Sequence, residues 1–245
     1  MNKKKIILIT ILVVVLGVFL LYKFHYFRKY KMDTFYLPFY FKEPINIKTT
    51  SVKKPLTYDI LSFKNAFPGF KVSEDDKNTF IKKDKKNEIV AYYTIDIHPL
   101  FINSLSEESF NVFSYDIENP DAKFYTEETM LKYLNKHNIN NDIELIKYIK
   151  EKFPFRNNIF TSKETMRNNY LLNLFSYISL FNVRAITVIE GDLNGYIVEY
   201  LGANNKDIHI IHKNKQYCIN LYGEEITSNE FVKSLIETIS FTDGE

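Results

Sequence analysis

His209 and His212 are the two residues whose type and spacing come closest to those of a metal site. Imidazole nitrogens are common zinc ligands, but two ligands of one site must face the same ion. The neighbouring Ile208, Ile210 and Ile211 favour a strand, and residues three apart on a strand point to opposite faces. No nearby cysteine or acidic residue has the spacing of a known metal motif. We therefore expect no metal-binding residue and no cofactor in this chain.

The segment Asp192-Leu193-Asn194-Gly195 contains part of a calcium-loop pattern. A complete loop of the EF-hand type needs a third oxygen ligand before the glycine and a bidentate glutamate further along the chain. Neither ligand stands at the required spacing. The same four residues are typical of a hairpin turn, and this is the interpretation we adopt.

His98 stands at the end of a predicted strand, and a group of serines and glutamates follows it: Ser104, Ser106, Glu107 and Glu108. A nucleophile and a base could be drawn from this group. A nucleophilic serine is normally held on a sharp turn beside its base, and no such turn signature is present. We therefore interpret this segment as a solvated loop.

Cys218 is the only cysteine of the chain, so no internal disulfide forms. It alternates with apolar residues in Tyr217-Cys218-Ile219-Asn220-Leu221, which is a strand pattern. A buried cysteine acts as a small hydrophobe, whereas a catalytic thiol needs an electropositive and partly exposed setting. We predict the structural role for Cys218, and we name no catalytic residue in the chain.

The basic residues are concentrated at the N-terminus. Residues 1–31 hold seven of the 32 basic residues and no acidic one, which leaves 25 basic and 30 acidic residues, a net charge of −5, in residues 32–245. Binding to a phosphate backbone requires a concentrated basic face. The charge distribution therefore predicts that nucleic acid is not a partner.

Residues 6–21, IILITILVVVLGVFLL, form an uncharged apolar run. As a helix the run spans about 24 Å, and the aromatic residues after it lengthen it toward the ~30 Å of a hydrocarbon core. We predict a transmembrane helix that contains Ile6, Ile9, Val13, Leu16 and Leu20. The flanking basic residues are Lys3, Lys4, Lys5, Lys23, Arg28 and Lys29. The lipid bilayer is therefore one predicted partner.

A cleaved signal peptide is the main alternative to an anchor, because such peptides also begin with basic residues and an apolar core. Cleavage needs small residues, but the apolar run ends in the bulky sequence Phe19-Leu20-Leu21-Tyr22-Lys23-Phe24-His25. We therefore expect the helix to be retained. Basic residues lie on both sides of it, and the short lysine-rich tail favours a cytoplasmic N-terminus and an extracytoplasmic C-terminal domain. A bacterial envelope is the natural setting for this topology.

The first half of the remaining chain contains a predicted hairpin and short helices. Residues 78–97 are rich in β-branched and aromatic residues on either side of a polar tip, which predicts the hairpin. Helices are predicted over residues 127–137 and 143–153, the second with Asp142 as its N-cap. A capping-box pattern at residues 161–164 opens a further predicted helix.

From Val183 onward the apolar residues recur with a period of two. Four strand-like runs, VRAITVIE, GYIVEYL, DIHIIHK and QYCINLY, are separated by turn residues and predict an antiparallel meander. A second capping-box pattern at residues 227–230 opens a C-terminal helix. The order of helix, meander and helix predicts an α+β fold in which helices cover the sheet.

This order of elements, with the hairpin added to an edge of the meander, is similar to that of PsbP-like α/β/α sandwiches. The resemblance lies in the order of elements alone, so it implies a candidate fold and no function. We divide the chain into an N-terminal anchor with basic flanks, residues 1–31, an extended tether that can include an edge strand, residues 32–56, and a single α+β domain, residues 57–245.

We expect the domain to be an extracytoplasmic interaction module without enzymatic activity that binds an unidentified protein. Two alternatives are kept. One is a domain that binds a small ligand or a lipid in an apolar cavity. The other is an enzyme whose site is assembled from residues scattered along the sequence, and a deep cleft with several titratable groups would favour it.

Overall fold

The computed structural model describes residues 3–29, 39–51, 55–59, 61–64, 69–98, 127–154, 182–202, 204–213 and 215–241, together with single positions between 156 and 172. The segments 99–126 and 173–181 lie outside the described residues. They include Ser104, Ser106, Glu107 and Glu108 and the second half of the helix that the capping box at residues 161–164 predicts.

The described helices are α1 Lys3–Lys29, α2 Glu127–Lys136, α3 Asp142–Lys152 and α4 Asn229–Ile236. The described strands are β1 Tyr40–Phe41, β2 Ile45–Ile47, β3 Pro55–Tyr58, β4 Leu61–Lys64, β5 Lys71–Val72, β6 Thr79–Lys83, β7 Ile89–His98, β8 Val183–Gly191, β9 Asn194–Tyr200, β10 Asn205–His212, β11 Lys215–Tyr222 and β12 Ser240–Phe241.

The main sheet has the strand order β1-β8-β9-β10-β11-β7-β6-β5. Strands β8 to β11 pair antiparallel in sequence order, which confirms the predicted meander. The predicted hairpin is β6 and β7, and β7 pairs antiparallel with β11. An apolar N-terminal helix, a mostly antiparallel sheet and a few further helices make the fold α+β, as predicted.

The sheet is mixed because β1 and β2 both pair parallel with β8. These two short strands lie within residues 32–56, for which the sequence predicts an extended tether. Phe39 and Ile47 are buried beside them. Part of this segment therefore belongs to the edge of the sheet.

The first face of the sheet carries the larger apolar core. Alternate residues of β7, β10 and β11 enter this core: Ile95, Ile208, Ile210, Tyr217, Ile219 and Leu221. Helix α4 covers them with its apolar stripe, Val232, Leu235 and Ile236. A three-stranded sheet, β12-β4-β3, contributes Leu61 to the same core. Burial of these side chains stabilises the domain by about 1.5–3 kcal/mol for each fully buried one.

The opposite face, the second face, carries a smaller apolar core under helix α3. Ile143 and Ile146 of α3 pack against Ile186, Val188 and Val198. Helices therefore lie on both faces of the sheet, because each face presents alternate apolar residues that need a cover.

Three predicted N-caps are wrong, each by one residue. Helix α3 is capped by Asn141, whose side chain accepts a hydrogen bond from the amide of Glu144, and Asp142 is the first helical residue. Ser228, not Thr227, caps α4. At the third position the Ser162 hydroxyl accepts from the amide of Thr165, in place of Thr161. Adjacent polar residues offer equivalent oxygens, so the sequence pattern locates a helix start only within about one residue.

Tyr93 is expected to make the domain less stable at alkaline pH. Its ring is buried in the first core and stacks on Phe80 at 4.5 Å, and burial raises the pKa of its hydroxyl above the ordinary value of 10.0. The pKa of Tyr93 is higher in the folded state than in the unfolded one. The stability that its neutral hydroxyl contributes is therefore fully present below pH 10.0 and is lost as the pH rises above it. The free energy of unfolding falls by about 1.4 kcal/mol for each pH unit in that range.

The measurement is urea unfolding of the full chain between neutral pH and about pH 11. Tyr93→Phe keeps the stacked ring and removes the titrating group, so its stability should fall less steeply above pH 10.0 than that of the wild type. Tyr222→Phe, at a ring that is 42% exposed, is the control. Parallel pH profiles of the wild type and Tyr93→Phe would refute this expectation.

Candidate functional site

Polar side chains occupy the centre of the second face. The strand register places Tyr196, His209, Cys218 and Asp96 side by side on four neighbouring strands, β9, β10, β11 and β7. Residues two or four positions away on the same strands join them. We call the group the polar patch: Asp96, Tyr196, Tyr200, Asp207, His209, Gln216, Cys218 and Asn220.

The alternation of each strand explains why these side chains share a face. On β10, Ile208 and Ile210 enter the first core, so Asp207 and His209 point to the second face. Cys218 is the direct cross-strand partner of His209 on β11 and therefore points the same way.

His209 lies at the centre of the polar patch. Its ring stacks on that of Tyr196 at a centroid distance of 4.4 Å. Its Nδ1 lies 3.1 Å from Gln216 Nε2, and its Nε2 lies 3.9 Å from Cys218 Sγ. His209 is 7% exposed, Cys218 3% and Gln216 0%, so these contacts are shielded from water.

A chain of hydrogen bonds connects this centre to helix α3. Gln216 Nε2 donates to the Tyr196 hydroxyl at 3.1 Å, and that hydroxyl donates to Asp142 Oδ2 at 3.1 Å. Burial, followed by the nearby Asp142 carboxylate, raises the pKa of Tyr196 well above its ordinary value. Tyr196 therefore acts as a neutral hydrogen-bonding link between the sheet and the first turn of α3.

Asp207 brings a carboxylate to the other side of His209. One of its oxygens accepts a hydrogen bond from the Tyr200 hydroxyl. One oxygen of Asp207, one ring nitrogen of His209 and Sγ of Cys218 all lie within 4.8 Å of one another. The patch thus gathers an oxygen, a nitrogen and a sulfur donor at one point.

Cys218 is held as a protonated thiol. Its sulfur donates to Asn220 Oδ1 at 2.9 Å, and Asn220 Nδ2 donates to Thr94 Oγ1 at 2.8 Å. Burial first, and then the carboxylates of Asp207 and Asp96, raise the pKa of the thiol well above its ordinary value. A cysteine nucleophile needs the opposite, a lowered pKa. The Cys218–His209 pair is therefore poorly suited to nucleophilic catalysis, whereas its donor atoms are suited to a metal ion.

The sequence spacing of a metal motif is not what brings these donor atoms together. Cys218 is nine residues away along the chain, yet it lies directly opposite His209 across the β10–β11 ladder. His212 points to the other face and stacks on Phe241 at 4.0 Å. The prediction that His209 and His212 face apart is confirmed.

Asp192 and Leu193 connect β8 to β9 in a hairpin, as predicted, and Asn194 and Gly195 begin β9. Asp192 Oδ2 accepts hydrogen bonds from the backbone amide of Thr49 at 2.8 Å and from its hydroxyl at 3.2 Å. This carboxylate therefore joins the turn to the chain that follows β2. His98 closes β7, and its side chain lies outside the described residues.

Helix α1 contains a 21-residue segment, Lys5–His25, that is long and apolar enough to cross a membrane. Its apolar side chains are exposed, with Ile6, Ile9, Val13, Leu16 and Leu20 between 43% and 61% accessible. Of the predicted basic flanks, Lys5 is exposed and Lys23 is half-buried with its ammonium 5.8 Å from the Phe19 ring centroid. The side chains of Lys3, Lys4, Arg28 and Lys29 lie outside the described residues.

A second candidate site is a cleft of about 430 Å³ between β9, β10 and the start of α4. Its lining is polar and includes Arg184 and Asn229. Glu199 accepts from Lys42 at 2.6 Å and lies 3.3 Å from Lys206 Nζ. Burial opposes ionisation of Glu199, but the two lysines outweigh it and lower its pKa. Lys42 and Lys206 thus share one carboxylate, and the cleft contains an ion-pair network that joins the end of β1 to β9 and β10.

Comparison of the whole chain with protein-family models and with curated proteins found no match. The candidate sites are therefore judged on their geometry and chemistry.

Proposed function

We propose that the chain is a single-pass cell-membrane protein whose helix α1 anchors an extracytoplasmic α+β domain, and that this domain is a non-enzymatic interaction module for a protein partner. The exposure of the apolar side chains of α1 is the observation that carries the proposal. A helix that is apolar all round requires either a protein core or a hydrocarbon environment. No described residue buries the most apolar part of α1, so lipid is the environment that fits.

Retention of α1 in the mature protein is supported by the residues at its C-terminal end. Phe19 to His25 offer no pair of small residues at the spacing that signal peptidase requires. Tyr22 and Phe24 instead provide aromatic groups at the depth of a membrane interface, and Lys23 can extend its ammonium to the head groups.

The non-catalytic part of the proposal is supported by the state of the polar patch. Its thiol is protonated and buried, and its histidine is stacked and hydrogen-bonded in place. The polar cleft beside α4 does not resemble the apolar cavity that a lipid ligand requires. A PsbP-like arrangement remains the fold that we propose for the domain, because α3 and α4 lie on opposite faces of the sheet.

Fusions at the C-terminus of the full chain test the orientation. We expect activity from an enzyme reporter that works only outside the cytoplasm, and no signal from a fluorescent reporter that matures only inside. Replacing Lys3, Lys4 and Lys5 with glutamine should shift the balance toward the fluorescent fusion, because the cytoplasmic charge bias is reduced.

The matched control replaces the same number of exposed lysines within the domain, Lys85, Lys86 and Lys213, with glutamine and should leave the orientation unchanged. Fluorescence without enzymatic reporter activity in the wild type would contradict the extracytoplasmic placement.

A further inference from the structure

We propose that Asp207, His209 and Cys218 bind a divalent transition-metal ion of the zinc class. This inference goes beyond the proposed function, and a bound ion would replace the protonated thiol that supports the non-enzymatic part of that proposal. The three donor atoms lie within 4.8 Å of one another, and Cys218 Sγ lies 3.9 Å from His209 Nε2. A tetrahedral zinc ion, with bonds of about 2.0–2.3 Å, holds its donor atoms roughly 3.3–3.8 Å apart. Small side-chain rotations are enough to close that difference.

The backbone already sets the approach of the three ligands. Asp207 and His209 are two residues apart on β10 and share a face, and Cys218 pairs directly with His209 on β11. Ligands on two hydrogen-bonded strands are held more precisely than ligands on loops. The ion therefore requires no rearrangement of the main chain.

The donor types select the class of ion. A thiolate and an imidazole favour zinc and its chemical relatives, whereas calcium and magnesium prefer oxygen ligands alone. Three protein ligands leave a fourth position of the tetrahedron for water or another group.

Charge is balanced when the ion binds. Cys218 releases its proton to solvent and becomes a thiolate, Asp207 supplies a carboxylate, and His209 stays neutral. The two negative charges of the ligands then match the charge of a divalent cation, and the Asp96 carboxylate adds a further negative charge beside the site.

An outer shell of hydrogen bonds supports the ligands. The Tyr200 hydroxyl donates to Asp207, and the amide of Gln216 lies 3.1 Å from His209 Nδ1. Such partners fix the orientation of ligating carboxylates and imidazoles, and their loss typically costs 10–100-fold in metal affinity.

Gln216 is the fully buried polar side chain that contacts His209. It is 0% exposed, and among the residues that the structure describes no group donates to its Oε1. A buried amide oxygen without a donor is costly. Rotation of the amide by half a turn would place this oxygen against His209 Nδ1, where it accepts the Nδ1 proton and leaves the Nε2 lone pair to the ion, at the cost of the Gln216–Tyr196 hydrogen bond.

The competing explanation is a hydrogen-bonded patch without an ion. Cys218 donates to Asn220, and Gln216 bonds to His209, so these groups already have partners. The two explanations differ in one observable, which is a bond between a metal ion and the sulfur of Cys218.

Titration of the full chain in detergent with Co²⁺, a spectroscopic substitute for zinc, tests that bond. We expect saturation at one ion per chain, with a sulfur-to-cobalt charge-transfer absorption in the near ultraviolet and displacement by Zn²⁺. Asp207→Asn and His209→Asn should weaken the affinity by more than about 100-fold, beyond the range of outer-shell changes. Cys218→Ser should abolish the charge-transfer absorption.

His212→Gln is the matched control, because His212 is on the same strand and points to the opposite face. It should leave the affinity for Co²⁺ and the absorption unchanged. The circular dichroism of each variant reports whether it is folded. The proposal is overturned if the wild type shows no sulfur-to-cobalt absorption in excess Co²⁺. It is also overturned if His212→Gln weakens binding as much as His209→Asn does.

Discussion

Replacing Gly195 with alanine is expected to lower the unfolding free energy of the domain by at least about 3 kcal/mol. Gly195 lies on β9 opposite Ile210. A Cβ added there would stand 2.2 Å from the carbonyl oxygen of His209 and 2.9 Å from Cδ1 of Ile210. The isoleucine side chain can move, but the carbonyl belongs to the central ladder of the sheet. The two strands must therefore separate, which weakens the ladder and disturbs His209.

Thermal unfolding of the full chain in detergent, followed by circular dichroism, measures this effect. We expect the Tm of Gly195→Ala to fall by roughly 6 °C or more. Gly202→Ala is the matched control, since Gly202 has a φ of +70° and nothing within 4 Å of an added Cβ. Its cost is limited to the left-handed backbone, about 1 kcal/mol. A Tm for Gly195→Ala at or above that of Gly202→Ala would show that β9 and β10 do not approach this closely.

Two arginines in the middle of α1 are expected to release the chain from the membrane. Val13 and Leu16 lie near the centre of the apolar segment and are 61% and 55% exposed. An arginine at the centre of a spanning helix costs about 2.5–3.5 kcal/mol, so Val13→Arg combined with Leu16→Arg costs about 5–7 kcal/mol. A cost of this size lowers the equilibrium constant for membrane insertion by several powers of ten.

Separation of the membrane and soluble fractions by centrifugation, with the chain detected in each, measures the change. The double variant should move to the soluble or aggregated fraction. The control exchanges the same residues conservatively, Val13→Leu with Leu16→Val, and should stay with the membrane because the apolar character is kept. Membrane retention of the arginine variant at the wild-type level would mean that another part of the chain holds it there.

The meander and the hairpin are readable from the sequence because strand alternation and turn residues are local signals. The runs of the meander are rich in β-branched and aromatic residues, and the residues between runs favour tight turns. The apolar run in α1 is equally local. In contrast, the parallel pairing of β1 and β2 with β8 joins residues more than 140 positions apart. No pattern within residues 39–47 specifies that partner.

The convergence of Asp207, His209 and Cys218 is hidden from motif spacing, because metal motifs are patterns along one segment. The pairing register of the β10–β11 hairpin nevertheless predicts that His209 and Cys218 lie side by side. His212 pairs with Lys215, and counting outward from that pair places His209 opposite Cys218. A tight turn together with the period of two is therefore enough to align the histidine and the cysteine. The contributions of Gln216, Tyr196 and Tyr200 depend on side-chain contacts that no such count supplies.

The most direct test of the central claim is to follow both ends of the wild-type chain. The full chain carries one tag before Met1 and a different tag after Glu245, and membranes are washed to remove peripheral proteins before the two tags are detected. A retained anchor predicts that both tags are found on one species of full mass in the washed membranes. A shortened species that carries only the C-terminal tag and leaves the membranes would show that α1 is a cleaved signal sequence, and would contradict the anchored-module account.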